Sequence, residues 1–273
     1  MKREIKLLTD MDCFCDLAAR LKHTCGKLLS NYYMSASALT EAVRQGKITY
    51  VYKENAYLNL WYRNGGFERL YYFIADPGDY EIIDRPSMCV CDVICRADDQ
   101  PLVGSVLHDA GMREYVGYAK WICRSPVLPD IQDQADLEIV EDDDGNLFVE
   151  SLYQYFDIWS DQLPERTGLE TFTREKHFIG AHERHGGLLV GGLVYTEQGY
   201  GVTEEYLFVL PGYRGRGISR LLHNTLYRKY QGKDIKYTAW IRKDNQASTT
   251  LHSSYQYKKQ NQLKITFLKG EAE

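Results

Sequence analysis

At 273 residues the chain is long for one domain and comfortable for two, and 44% apolar with 26% charged residues leaves each half enough material for a core. The net charge of −5 argues against a general nucleic-acid binder, which would carry a basic face. The longest largely apolar run, residues 186–195, is far short of a bilayer span, and no membrane association is expected.

All seven cysteines, at 13, 15, 25, 89, 91, 95 and 123, fall in the first half. An odd count, with no apolar stretch behind the basic residues of 1–6, does not read as a disulfide framework, so a cytoplasmic location is expected. No Cys-x-x-Cys pair is present, and no metal is expected.

In chain order, apolar residues at Phe14, Leu17, Ala18 and Leu21 behind an acidic start predict a helix within 9–30, and a second is expected over 35–45. From Ile48 to Ile74 the pattern is that of strands broken at Arg63-Asn-Gly-Gly66, a strong hairpin signal. A strand over 88–96, a helix over 101–110 and a strand over 112–123 follow, and Pro126 and Pro129 mark a linker.

Beyond it the sequence predicts a strand near 137–140, helices over 148–159 and 168–176, and strands over 178–182, 188–195 and 200–210. Next come a helix from Ile218 to about Tyr230, a strand over 235–242, a helix over 246–254 and a last strand over 257–268. Charge is split along this half: residues 131–210 hold 17 acidic and 4 basic side chains, residues 211–273 hold 4 acidic and 13 basic. Such a split suits a polyanion over the basic portion and a cationic acceptor near the acidic one, or simply two solvated faces.

The stretch Tyr206-Leu-Phe-Val-Leu-Pro-Gly-Tyr-Arg-Gly-Arg-Gly-Ile-Ser-Arg220 organises the rest. It reads as strand, glycine loop and helix, an arrangement that places unpaired amides and the positive end of a helix dipole where a phosphate can approach. It is not a Walker A loop, since Ile218-Ser219 follows its last glycine, and it lacks the third glycine of a dinucleotide fingerprint.

Arg214, Gly217 and Ser219, after a strand ending Val209-Leu-Pro211, resemble the acyl-CoA loop of the GNAT superfamily of N-acetyltransferases, Arg/Gln-x-x-Gly-x-Gly/Ala. The run Asn245 to Tyr257 is similar to that family's Asn-x-x-Ala-x-x-Leu-Tyr-x-x-x-Gly-Phe, with Ser248 for Ala, His252 for Tyr and Gln256 for Gly. The resemblance implies an α/β (α+β) fold, acetyl-CoA as co-substrate, and cofactor contacts from Leu207, Phe208, Val209, Arg214, Gly215, Arg216, Gly217, Ile218, Ser219 and Asn245. It further implies Glu205 as the base for the amine, by strand parity with Leu207 and Val209, and His252 or Tyr255 as the acid for the thiolate. Asp157, Trp159, Asp161 and Glu204 are expected to shape the acceptor pocket.

The two halves rhyme, Arg63-Asn-Gly-Gly-Phe67 with Arg184-His-Gly-Gly-Leu188, and the first is shorter by about one strand, loop and helix. The reading is therefore two GNAT-like halves, each a mixed, mostly antiparallel sheet flanked by helices: 1–125 degenerate, 130–273 complete and catalytic. An unrelated α+β domain at the front is the alternative. The expected activity is transfer of an acetyl group to the primary amine of a small or amino-acid-like molecule, against a non-catalytic acyl-CoA sensor or a transferase using charged tRNA. A homo-oligomer is compatible with the sequence but not decided by it.

Overall fold

Every element expected from the periodicity forms, with ends set by local chemistry. The computed structural model describes residues 4–25, 27–131, 134–164 and 168–270; the first three residues of the basic N-terminal run lie outside them. The chain divides into two compact units, residues 1–117 with 263–273, and residues 118–262.

In chain order the first unit contains β1 (Lys6–Leu7), α1 (Met11–Cys25), β2 (Leu29–Ser30), α2 (Ala36–Arg44), β3 (Ile48–Lys53), β4 (Tyr57–Asn64), β5 (Phe67–Ile74), β6 (Met88–Cys95) and α3 (Gln100–Asp109). β7 (Arg113–Cys123) begins in the first unit and enters the second at Tyr118. The second continues with β8 (Leu137–Glu141), α4 (Gly145–Tyr155), α5 (Leu169–Glu175), β9 (His177–Glu183), β10 (Leu189–Gln198), β11 (Gly201–Val209), α6 (Ile218–Lys229), β12 (Lys236–Arg242) and α7 (Gln246–Ser254). β13 (Lys258–Lys269) passes back to the first unit at Leu263. Because these two long strands change units part-way, the division does not fall at the Pro126–Pro129 linker.

In the first unit, Ser35 caps α2 by accepting from the Ala38 amide at 3.2 Å, and Gly65 and Gly66 close the hairpin between Asn64 and Phe67. A turn at 54–56, unforeseen in the strand-like run, separates β3 from β4; Asn55 takes the left-handed conformation there, which asparagine tolerates. The sheet of this unit runs β1-β3-β4-β5-β6-β13, with β5 and β6 parallel and the other pairs antiparallel.

The connection from β5 to β6 holds a short 3₁₀ turn over Pro77–Asp79 and no α-helix. β5 and β6 pair only from Phe67↔Met88 to Arg69↔Val90. Beyond that the Asn31 carboxamide bridges them: its Oδ1 accepts from the Tyr72 amide at 2.7 Å, and its Nδ2 donates to the carbonyls of Leu70 at 2.9 Å and Asp92 at 3.0 Å. The chain's own segment thus satisfies the strand edges that would otherwise lie open.

In the second unit the sheet runs from residues 118–123 of β7 through β12, β11, β10 and β9 to β8, antiparallel except for β11 with β12. One face packs on α6 through Leu193, Val202, Ile218, Leu222 and Leu226. The other packs on α4 and α5 through Phe148, Leu152, Phe172, Tyr206 and Phe208.

Candidate active site

The site begins at an irregularity in β11. Glu204 is registered with Tyr195 of β10 and Tyr206 with Val194, so Glu205 is an extra residue with no partner, a β-bulge. The bulge exchanges the faces of the strand. Before it Val202 joins the α6 side; after it Tyr206 and Phe208 join the α4–α5 side, while Leu207 and Val209 pack towards α6.

On the other edge, β11 and β12 are paired in parallel only from Gly201↔Lys236 to Glu204↔Ala239. The strands separate at the bulge, while β12 stays paired with β7 on its other edge from Tyr237 opposite Cys123 to Arg242 opposite Tyr118. A cleft of about 780 Å³ opens there, lined on one wall by Glu205, Leu207, Phe208 and Val209 and on the other by Trp240, Ile241 and Arg242.

The cleft runs on to the glycine loop. Gly215 and Gly217 take φ of +80° and +83°, a conformation open to glycine and strained for other residues. A Cβ on Gly215 would meet nothing within 4 Å, and one on Gly217 only Ile131 Cγ2 at 4.0 Å, so main-chain groups here stand open to a ligand. Arg214 donates from Nε to the Val209 carbonyl at 3.1 Å, holding the loop against the end of β11. Ile218, Ser219, Arg220, Asn245 and Ser248 continue the lining, and Asn245 caps α7 by accepting from the Ser248 amide at 3.0 Å.

Glu204 and His252 form part of the floor. Glu204 is buried, and its Oε2 lies 3.0 Å from Nε2 of both His223 and His252. Its Oε1 accepts from the Tyr227 hydroxyl at 3.1 Å and from that of Tyr257. Burial pushes the Glu204 carboxyl up, but the charge of His223 and the bonds from both imidazoles outweigh it and hold it well below the usual range. Burial likewise lowers His223, and Glu204 overturns that, leaving it raised.

These features correspond to a known domain. The acetyltransferase (GNAT) family matches residues 143–255, within the second unit. This stretch is a GNAT acetyltransferase domain.

Over the whole chain the fold is shared with solved structures of the same architecture. A tandem GNAT protein from the clavulanic acid biosynthesis pathway superposes with a TM-score of 0.59 at 12% identity, covering 100% of both chains. A GCN5-related N-acetyltransferase from Sphaerobacter thermophilus gives 0.56 at 14%, covering 97% of this chain and 95% of that one. A Drosophila protein gives 0.57 at 15%, covering 98% and 99%. No curated protein matches the chain by sequence. At such identities the likeness establishes the fold alone: a mixed α/β architecture of mostly antiparallel strands flanked by helices.

Within the GNAT domain, most residues singled out from the sequence come together in the cleft: Glu204, Glu205, Leu207, Phe208, Val209, Arg214, Gly215, Gly217, Ile218, Ser219, Asn245, His252 and Asp161 all line it. Four do not. Arg216 turns away to pair with Asp136 and to lie over the Tyr213 ring. Tyr255 is wholly buried, with its hydroxyl 2.8 Å from Asn224 Oδ1 and 3.1 Å from the Arg220 carbonyl. Asp157 accepts from the Trp159 and Ser160 amides at 3.0 and 2.8 Å, building the turn that ends the expected helix early, and neither it nor Trp159 reaches the lining.

The parity that joined Glu205 to Leu207 and Val209 does not hold, because the bulge intervenes. Glu205 points the other way, accepting from Lys176 Nζ at 2.7 Å and Thr196 Oγ1 at 3.0 Å. Glu204 is the carboxylate on the α6–α7 side. The reading from sequence also passed over His223 and Tyr227, whose signal was a histidine set within the apolar stripe of α6, next to Leu222 and Leu226.

Proposed function

We propose that the protein is an acyl-CoA-dependent N-acyltransferase moving an acetyl group from acetyl-CoA to a primary amine of a small or amino-acid-like acceptor. Family membership supports acyl transfer in general. The observation that carries the finer reading is a single cleft joining an open strand edge at the bulge to the glycine loop at the start of α6. An amide-bearing pantetheine arm would satisfy the edge of β11, and the diphosphate would meet the loop amides and the positive end of α6.

In this reading the neutral amine attacks the thioester carbonyl, the C–N bond forms, the C–S bond breaks and coenzyme A leaves as its thiolate. The amine's proton passes to Glu205, which faces the cleft and is oriented by Lys176 and Thr196. Asp161, held by the Tyr118 hydroxyl at 2.7 Å and the Asp157 amide at 2.8 Å, gives the cleft a negative group for a cationic acceptor. His252 is committed through both ring nitrogens and Tyr255 is off the cleft, so the thiolate takes its proton from water. A cytoplasmic site of action belongs to the same proposal; no helix among the described residues is long and apolar enough to cross a membrane.

The test is release of free thiol from acetyl-CoA with a panel of polyamines, amino acids and aminoglycosides. Turnover by the wild type, with kcat lowered about 10²–10⁴-fold in Glu205→Gln and little change in KM for acetyl-CoA, is expected. The commitments of His252 and Tyr255 favour one second reading, a non-catalytic acyl-CoA sensor. Coenzyme A binding without thiol release across the panel would select it.

A further inference from the structure

We propose that Glu204, His223 and His252 form a binding site for a divalent transition-metal ion of the zinc class, tying β11 to α6 and α7 at the floor of the cleft. The inference stands on this cluster alone and does not depend on which acceptor is acylated.

The argument is one of protons. His223 Nδ1 lies 2.7 Å from the Ser219 carbonyl, and His252 Nδ1 lies 2.8 Å from the Ser248 carbonyl with the Ser248 hydroxyl at 3.3 Å. A carbonyl oxygen only accepts, so each Nδ1 carries a hydrogen. If the rings are neutral, each Nε2 then presents a lone pair, and both lone pairs point at the same oxygen, Glu204 Oε2, at 3.0 Å. A cation between them turns that repulsion into coordination. Without a cation, one imidazolium balances the carboxylate but leaves the second ring's lone pair against the same oxygen, and two imidazoliums leave a net positive charge in a site where the three side chains are 0–5% exposed.

His182 shows what the balanced case looks like. It too has a carbonyl at Nδ1, Gly187 at 3.1 Å, and a carboxylate at Nε2, Asp143 at 2.5 Å, but one imidazolium there meets one carboxylate. In the Glu204 cluster the count is two to one.

The donor set and its surroundings suit the ion. Two imidazoles and a carboxylate are a common zinc triad, with metal-bound ring nitrogens whose other N–H groups bond to carbonyls. The three ligand atoms all lie within 4.8 Å of one another. Bonds of about 2.0–2.1 Å in tetrahedral geometry would space them about 3.3 Å apart, a few tenths more than the 3.0 Å contacts. Tyr227 and Tyr257 hold the second carboxylate oxygen, fixing the ligand from behind. Because Glu204 and His252 line the cleft while His223 lies wholly buried, the fourth coordination position would face the cleft. The sequence hid this site because its ligands come from three separate elements and none is a cysteine.

The experiment uses the full-length protein, loaded with zinc sulfate or cobalt chloride and dialysed against a weak chelator. About one zinc per chain by elemental analysis is expected, falling to near zero in Glu204→Gln, His223→Gln and His252→Gln and unchanged in His185→Gln, an exposed histidine outside the cluster. The cobalt form should show the visible bands of a four-coordinate ion without sulfur charge transfer, which separates this site from the cysteines. A strong chelator should lower the melting temperature, and added zinc should raise it with the logarithm of its concentration. Should the cluster variants fail to fold, nitrogen-15 spectra of the wild-type histidines decide: both rings in the Nδ1–H form with metal-shifted Nε2 supports the site. Two doubly protonated rings after metal loading, or stoichiometric zinc that survives in folded His223→Gln and His252→Gln, overturns it.

Discussion

Gly217→Ala, compared with Gly232→Ala, separates the backbone strain of the loop from its part in holding a ligand. The two glycines have nearly the same conformation, φ of +83° and +82°, and almost the same room: a Cβ would meet only Ile131 Cγ2 at 4.0 Å at the first and nothing within 4 Å at the second. Forcing an L-residue into this region costs about 1–2 kcal/mol, so both variants should lose that much stability and melt alike. They differ in position. Gly217 is the residue from which α6 starts, whereas Gly232 lies after its end. With the diphosphate placed as proposed, a methyl group at 217 would stand where the anion approaches the first-turn amides; losing one charged hydrogen bond is worth about 1.5–3 kcal/mol, or about 10–100-fold in affinity. Calorimetric titration with coenzyme A should therefore show that loss in Gly217→Ala and a change within about twofold in Gly232→Ala. Equal affinities in the two variants, with equal melting, would refute the placement of the diphosphate on this loop.

Three further outcomes follow from the packing. Asp92 in the first unit is buried, 2.5 Å from Arg69 Nη1 and 2.6 Å from Thr266 Oγ1, and Asp92→Ala should cost about 3–5 kcal/mol in urea unfolding by removing the carboxylate that pairs with the buried guanidinium, with no effect on coenzyme affinity. Gly192→Ala would place a Cβ 2.1 Å from Phe148 Cε1 and 2.8 Å from Phe208 Cε1 in the core under β10, and should cost about 1–3 kcal/mol; an unchanged melting temperature would refute that packing. At His182 burial lowers the pKa, but the bonds to Asp143 and the Gly187 carbonyl outweigh it and raise it. Its contribution is therefore full below about pH 6.5, the unfolded value, and is lost as pH rises through the folded value. The stability difference between wild type and His182→Gln should shrink from mildly acidic to mildly alkaline pH, and a difference that grows would sink the assignment.

How far the sequence announced this architecture depended on whether a feature was local. The glycine loop was legible because Arg214 to Ser219 must itself supply both the left-handed turns and the start of a helix, and a change of period from two to 3.6 marks where one ends and the other begins. The hairpin at Gly65-Gly66 was legible for the same reason. The bulge was not: inserting Glu205 is a matter of register against β10, and strand parity read along one segment carries no information about its neighbour. Nor was the Glu204 cluster, whose three ligands meet only after β11, α6 and α7 have folded together. The comparison of the two units takes this a step further. Both contain a parallel pair that separates after three or four residues, β5 from β6 and β11 from β12. In the first, the carboxamide of Asn31 already fills the hydrogen bonds of the opened edges, and no helix follows to offer a phosphate site. In the second, the edge lines a cleft and the next element is the glycine loop. An open strand edge has a cost that some amide must offset; one unit offsets it with its own chain, and in the proposed function the other leaves that place to an amide brought by a ligand. On the proposed placement of coenzyme A, the place its amide arm would take in the second unit is the one the Asn31 carboxamide fills in the first.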